Sequence, residues 1–342
     1  MKKKPQLSVV MPVRDGGPHL KEALDSIQAS SLEDWELLVA NHGSKDETQD
    51  ILFQFASKDS RIQIVEFSRE TSFITVLEQT RRRCNTPYMA RMDADDLMHK
   101  DRLAGDFKML EVDSQISVVS SQVELFPASQ VKEGMTIYMD WQNKILLPKE
   151  HDLELWIEQT ICNPAATFRL NAVDDVGGYQ EGAFPEDYDL FVRLNVAGHQ
   201  FRKRPEIGHY WRRHDASLSV RSMNFSHNAF ATVKARGLFE KFHLNEKPVC
   251  VLGSSRHGGR IAKLLMGHGA TVKAFFDISP VRIGKERHGV RILAQDQLAS
   301  WKKDHPHGFA IGAVGVRGRR PIVRQLMAEA EFVENRDAIC IA

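Results

Sequence analysis

The sequence predicts an α/β protein of two domains, each a sheet of buried strands covered by helices. Three observations carry that expectation. Short apolar runs alternate with stretches whose apolar residues recur at helical spacing, beginning at Leu7 and again at Val249. The 342 residues exceed one typical domain. The segment Leu244-Asn245-Glu246-Lys247-Pro248 interrupts the pattern and reads as a linker, separating 1–244 from 248–342.

In the first domain Leu7–Val13 is a buried strand, and Leu20, Ala23, Leu24 and Ile27 mark a helix. Trp35–Ala40 is a second strand, expected to end in the turn Asn41-His42-Gly43-Ser44. Asp46–Phe55 reads as a helix with acids in its first turn, as the helix dipole prefers. Ile62–Phe67 is a third strand, Thr71–Arg83 a helix, and Tyr88–Met92 a short strand running into Asp93. This βα alternation implies a mostly parallel sheet, whose ligands bind at the carboxyl ends of strands. Further on, Ile116–Val123 and Thr136–Met139 read as strands, 151–159 as helical, Gly177-Gly178-Tyr179 as a turn and Pro185–Asp189 as an acidic helix start. His209–His214 is a basic strand, and Ser222–Phe242 a helix.

Composition narrows the class. A hydrophobic fraction of 42% and a charged fraction of 27% suit a soluble globular chain, and a formal charge of +1 offers no general case for nucleic-acid binding. The scattered cysteines Cys84, Cys162, Cys250 and Cys340 form no C-x-x-C pair, which points to a reducing compartment. The basic start Met1–Pro5 is followed by too short an apolar run for a signal peptide. No run approaches the ~18 apolar residues of a spanning helix. The expectation is a cytoplasmic protein, with contact at the inner membrane face left open.

The chemistry concentrates at Asp93-Ala94-Asp95-Asp96. Carboxylates crowded together raise one another's pKa, and a divalent cation removes that cost. Mg2+ and Mn2+ favour oxygen ligands and keep phosphate oxygens in their shell. The competing reading is a solvated loop in which Asp96 caps the helix that begins near Arg102.

From Leu7 to about Leu218 the chain resembles the family 2 glycosyltransferases of the GT-A fold. The resemblance rests on Ser8–Asp15, Leu20–Ile27, Gly43–Thr48, Arg91–Asp96, Val176–Tyr179 with Glu186–Leu190 and Arg193-Leu194, and Tyr210–His214 with Ser217-Leu218-Ser219, in family order. It implies a donor site at Pro12, Val13, Arg14, Asn41, Asp93, Ala94 and Asp95. It implies Mn2+ or Mg2+ on Asp93 and Asp95, with His214 as a further contact, and Arg212 or Arg213 beside the diphosphate. Asp187 is implied as the general base, with Gly178, Tyr179 and Glu186 on the acceptor side. The reaction so implied is an inverting transfer from a nucleotide-diphospho-sugar to a saccharide or lipid-linked acceptor in surface polysaccharide or lipopolysaccharide synthesis. Two departures matter. Relatives usually carry two aspartates where this chain has Asn41-His42, and Thr71–Gln79 lacks the usual glycine and asparagine. These leave a catalytically weak nucleotide-sugar binder as an alternative.

In the second domain Val249–Leu252 is a strand, Gly253–Gly259 a glycine loop, Ile261–Met266 a helix and Thr271–Phe276 a strand ending at Asp277. Phe309–Val314 is a strand, and Arg320–Ala330 a helix. The region looks like the Rossmann-like N-terminal domain of bacterial sugar acyltransferases. That likeness implies a possible second nucleotide site at Gly253, Gly258, Gly259 and Asp277, and with it a bifunctional alternative.

Overall fold

The elements follow the alternation closely. In chain order they are β1 (Leu7–Val13), α1 (Gly17–Gln28), β2 (Trp35–His42), α2 (Thr48–Lys58), β3 (Ile62–Phe67), α3 (Phe73–Arg81), β4 (Tyr88–Arg91) and β5 (Leu97–Met98). Next come α4 (Arg102–Val112), β6 (Ile116–Phe126), α5 (Glu133–Asn143), α6 (Pro148–Glu154), β7 (Ala166–Arg169), α7 (Leu170–Asp175), α8 (Glu186–Val196) and β8 (Gln200–Arg212). The remainder holds α9 (His227–Lys241), β9 (Pro248–Leu252), α10 (Arg256–Gly267), β10 (Thr271–Asp277), β11 (Glu286–Arg287), β12 (Val290–Ala294), α11 (Leu298–Asp304), β13 (Phe309–Gly312), α12 (Arg320–Glu329) and β14 (Ala338–Cys340). The structure, a computed structural model, describes residues 4–214 and 226–342. Met1–Lys3, the Ser217-Leu218-Ser219 match and the expected helix start at Ser222 lie outside the described residues.

The chain divides into two compact units: Met1–Pro148 with Thr160–Gly182 and Gly198–Arg221, and Lys149–Gln159 with Ala183–Ala197 and Ser222–Ala342. The division into domains at 244–248 stays a proposal.

The first unit is built on an eight-stranded sheet in the order β3-β2-β1-β4-β7-β6-β8-β5. The four strands from β3 to β4 are parallel, as the βα alternation requires. Beyond β4 the sheet is mixed, because β7 runs antiparallel to both β4 and β6. The core is the apolar set that the strands and helices present to each other, including Leu7, Val9, Met11, Leu20, Leu24, Ile27, Trp35, Leu37 and Val39. Ser72 caps α3 by accepting from the Thr75 N–H.

Two elements differ from expectation. Thr136–Met139 is not a strand but lies within α5. Met139 and Gln142 are buried three residues apart, a helical period that a four-residue apolar window misread as an extended segment. Asn41-His42 is not a turn: β2 continues through both residues, paired with Glu66 and Phe67 of β3.

The second unit carries a six-stranded sheet, β11-β12-β10-β9-β13-β14, parallel except for the β11–β12 pair. The glycine loop is shorter than expected. Helix α10 starts at Arg256, so Gly258 and Gly259 sit in its first turns rather than in a loop. Gly258 is buried, and a Cβ there would collide with the Gly253 carbonyl, so the residue type is set by helix-to-loop packing.

Candidate active site

The carboxyl ends of the parallel strands gather a connected polar network. The register places Val13, Asn41 and Glu66 side by side across β1, β2 and β3. Pro12 is half-buried, Val13 is buried, and Arg14 is exposed just past the strand end. Asn41 is 1% exposed; its amide donates to Glu66 Oε2 at 2.9 Å, and its Oδ1 accepts from the Ser44 N–H at 3.3 Å. His42 Nε2 meets the Thr71 carbonyl at 2.8 Å.

The loops after these strands are tied together. Asp15 adopts φ 54°, donates its N–H to Ser44 Oγ, and accepts from the Lys45 N–H at 2.8 Å and from Arg69 at 2.7 Å. Arg69 and the Lys45 N–H pull the Asp15 carboxyl down to about 2. Arg69 also donates to the Gly43 carbonyl at 3.0 Å, so one guanidinium joins the ends of all three strands.

Strand β4 delivers the acidic cluster. Arg91, its last residue, is 2% exposed and donates to the Val10 carbonyl at 2.8 Å and to Asp93 Oδ1 at 2.8 Å. Asp93, Asp95 and Asp96 each offer a carboxylate oxygen within 4.8 Å of the others. Asp93 and Asp95 are partly exposed, whereas Asp96 is buried. Ala94 is 8% exposed and packs in the core, so its side chain anchors the loop from beneath.

Asp96 is not a helix cap. Helix α4 begins six residues later, at Arg102 behind Asp101, and no side chain caps it. Asp96 instead ties the loop to β8, accepting from the Arg212 N–H at 2.7 Å and from His209 Nε2 at 2.8 Å. Arg102 donates to His209 Nδ1 at 3.1 Å, which assigns the proton to Nε2. Burial, then the charges of Arg102 and Arg91, hold His209 well below the usual histidine range. The Asp96–His209 contact is therefore a neutral-donor hydrogen bond rather than an ion pair. Burial, then the neighbouring Asp93 and Asp95, push the Asp96 carboxyl well above its usual range.

His214 Nε2 lies 2.8 Å from Asp95 Oδ2, so the structure brings these two together. The His19 ring lies tilted, 5.9 Å from the His214 ring. Arg212 donates to the Asp95 carbonyl at 2.6 Å and pairs with Glu22, while Arg213 lies 4.6 Å over the Trp211 ring.

Gly178 has φ +69°, and a Cβ there would collide with the Glu78 carboxylate, which accepts from the Tyr179 N–H at 3.1 Å. Glu78 in turn holds Arg81, itself bonded to Asp174. In the second unit Glu186 and Asp187 open α8. Asp187 Oδ1 accepts from the Tyr188 N–H at 2.7 Å, and Oδ2 from Gln159 Nε2 at 2.9 Å. Asp189, fully buried, is held by Arg193 and Arg236. Further along that unit, Asp277 accepts from Ser254 N, Ser254 Oγ, Ser279 N and Arg282, which hold its carboxyl down at about 2 against the effect of burial. Gly253, with φ +101°, passes directly into that arrangement.

Residues 8–177 match the family model described as glycosyl transferase family 2. These residues form a family 2 glycosyltransferase domain. The domain contains the β1 strand end, Asn41 and the whole acidic cluster; Asp187 and His214 lie beyond the matched residues. The bifunctional glycosyltransferase pgtA of Dictyostelium discoideum is 23% identical over 295 residues, covering 72% of this chain and 38% of that protein. An uncharacterized glycosyltransferase of Rickettsia typhi is 25% identical over 229 residues, covering 64% and 68%. The chain thus spans well under half the length of pgtA. The fold also resembles S. aureus TarS 1–349 in complex with UDP-GlcNAc, with a TM-score of 0.55 and 13% identity over 77% of this chain and 72% of that one. The GT-A-type fold of the family 2 domain is therefore supported by both structure and sequence. Among the described residues, no helix is long and apolar enough to cross a membrane.

Several participants escaped the sequence reading: Glu66, Arg69, His209 and Gln159. Each acts on a residue far away in the chain. Only the strand register of β2 against β3, readable from aligned apolar runs, could have pointed to Glu66.

Proposed function

We propose that the protein transfers a sugar from a nucleotide-diphospho-sugar to an acceptor hydroxyl, inverting the anomeric carbon. The observation that carries this is the cluster of three carboxylates within 4.8 Å at the end of β4, inside a family 2 glycosyltransferase domain. The donor set fits a hard divalent cation such as Mn2+ or Mg2+. Two of its carboxylates are partly exposed; burial, then repulsion from those two, raises the third, and a cation relieves the repulsion. Asp93 and Asp95 would hold it, with His214 beside Asp95. When bound, the metal supplies Lewis-acid stabilisation of the departing diphosphate.

The chain's own residues do the rest. Arg91 orients Asp93, and Asp96, clamped by His209 and the Arg212 N–H, fixes the loop so that Asp93 and Asp95 keep their positions. Asp187 serves as general base, its carboxylate oriented by Gln159 and the Tyr188 N–H. It takes the proton of the acceptor hydroxyl as that oxygen attacks the anomeric carbon. The bond to the diphosphate oxygen breaks, and the nucleoside diphosphate leaves with the electron pair. One base without a covalent nucleophile corresponds to inversion. Glu186, Gly178 and Tyr179 belong to the acceptor side in this reading. The acceptor is a saccharide or a lipid-linked saccharide, used in surface polysaccharide or lipopolysaccharide assembly at the inner membrane face.

A second reading, a nucleotide-sugar binder of low turnover, is favoured by Asn41, whose amide is committed to Glu66. The two readings part on Asp187→Asn. For a transferase, turnover with Mn2+ falls by about 10^2–10^4 while donor binding persists. Unchanged turnover, or its absence with every donor in the unaltered protein, sinks the transferase reading.

A further inference from the structure

In the second unit, helix α10 carries Arg256, Arg260 and Lys263 at helical spacing and no acidic residue. Together with Arg287, His268 and His288 they line a groove of about 610 Å3, and no carboxylate lines it. Among the described residues none of the four permanent cations takes part in an ion pair, although the chain as a whole is nearly neutral at +1. The charge is therefore a local concentration rather than a consequence of composition. Unbalanced like charges repel, and a surface that keeps them is suited to an anionic ligand.

A second observation is independent of the charge count. Arg287 lies against Gly259, where a Cβ would collide with its Nε. That Nε is buried without a hydrogen-bond acceptor. His288 Nε2 meets the Gly259 carbonyl at 3.0 Å, holding the turn beside the helix. The missing side chain at Gly259 is what lets the Arg287 guanidinium settle on the helix, held in place with its Nε against the backbone. A guanidinium fork matches phosphate oxygens in pairs.

We infer that this groove binds a discrete ligand carrying two or more phosphate groups, at a site separate from the acidic cluster. Among the lining residues Leu264 is the one large apolar side chain, so recognition there is through charge. Four permanent cations line the groove, more charge than one phosphate carries, so a ligand with two phosphate groups matches it better.

The test is calorimetric titration of the full chain with pyrophosphate in EDTA, so that no metal lets the acidic cluster contribute. Saturable binding is expected, at least tenfold tighter than for inorganic phosphate. Arg260→Gln with Lys263→Gln should weaken it at least tenfold. Gly259→Ala, which displaces Arg287 without changing the charge, should weaken it as well. Asp93→Asn with Asp95→Asn should leave it intact, so that failure of the transferase reading does not bear on the result. The inference is overturned if pyrophosphate does not bind or binds no tighter than phosphate. It is equally overturned if the α10 variants bind as the unaltered chain does, or if phosphatidylglycerol vesicles capture the protein and pyrophosphate does not.

Discussion

Asn41, expected in a turn, instead lies within β2 with its amide on Glu66. Its place near the carboxyl end of β2 was visible from sequence, but not its inclusion in the strand beside Val13. Its commitment to Glu66 follows only from the register of β2 against β3, which the turn reading concealed. Asn41→Asp would set two carboxylates side by side and remove the amide donor. A loss of about 1–2 kcal/mol is expected, read as a lower denaturation midpoint. Asn41→Asp with Glu66→Gln should recover most of that loss. If the single variant is as stable as the unaltered protein, the pairing does not hold the strand end together. Gly178 belongs at this scale too. Its positive φ and the Glu78 carboxylate at its Cβ position predict that Gly178→Ala costs about 1–3 kcal/mol, measurable by urea titration.

Among the elements, β8 contributes more than a closing strand. From it His209 and the Arg212 N–H grip Asp96, and Lys203 donates to the carbonyls of Gln142 and Thr160 at 2.5 and 3.0 Å. Burial lowers Lys203 to about 7 from 10.5. Between those values the unfolded chain binds a proton at this site that the folded chain does not. The sign is therefore positive: this residue's contribution to stability rises as pH increases from about 7 to 10.5. Lys203→Met should flatten the dependence of melting temperature on pH across that window, compared with the unaltered protein. An unchanged slope would show that Lys203 is not buried uncharged. The elements themselves were largely legible. Segments of six or more residues with a strand-like apolar pattern, such as Leu7–Val13 and Ile62–Phe67, carry their own period. The strand expected at Thr136–Met139 did not, because four residues fit either period and only the Met139–Gln142 spacing decides for a helix. The partners of Asp96 were beyond sequence reasoning, since His209 stands more than a hundred residues away and reaches it only through the β5–β8 pairing.

For the molecule as a whole, an order of motifs located Asp93 and Asp95. The physics of the folded site then separated Asp96 from them as a buried anchor. The basic groove along α10 left no trace as a motif, because Arg287 joins the helix only through the fold of β10 to β11. The central claim is that Asp93 and Asp95 hold a metal that in turn holds the diphosphate of a nucleotide-sugar. The most direct measurement is the melting temperature with a panel of nucleotide-diphospho-sugars, with and without Mn2+, for the unaltered protein and for Asp95→Asn. The account predicts that at least one donor stabilises the unaltered protein only when Mn2+ is present, by about 2.7 kcal/mol at a hundredfold excess over Kd, and that Asp95→Asn abolishes the effect. Stabilisation that is independent of Mn2+, or that survives in Asp95→Asn, would contradict it.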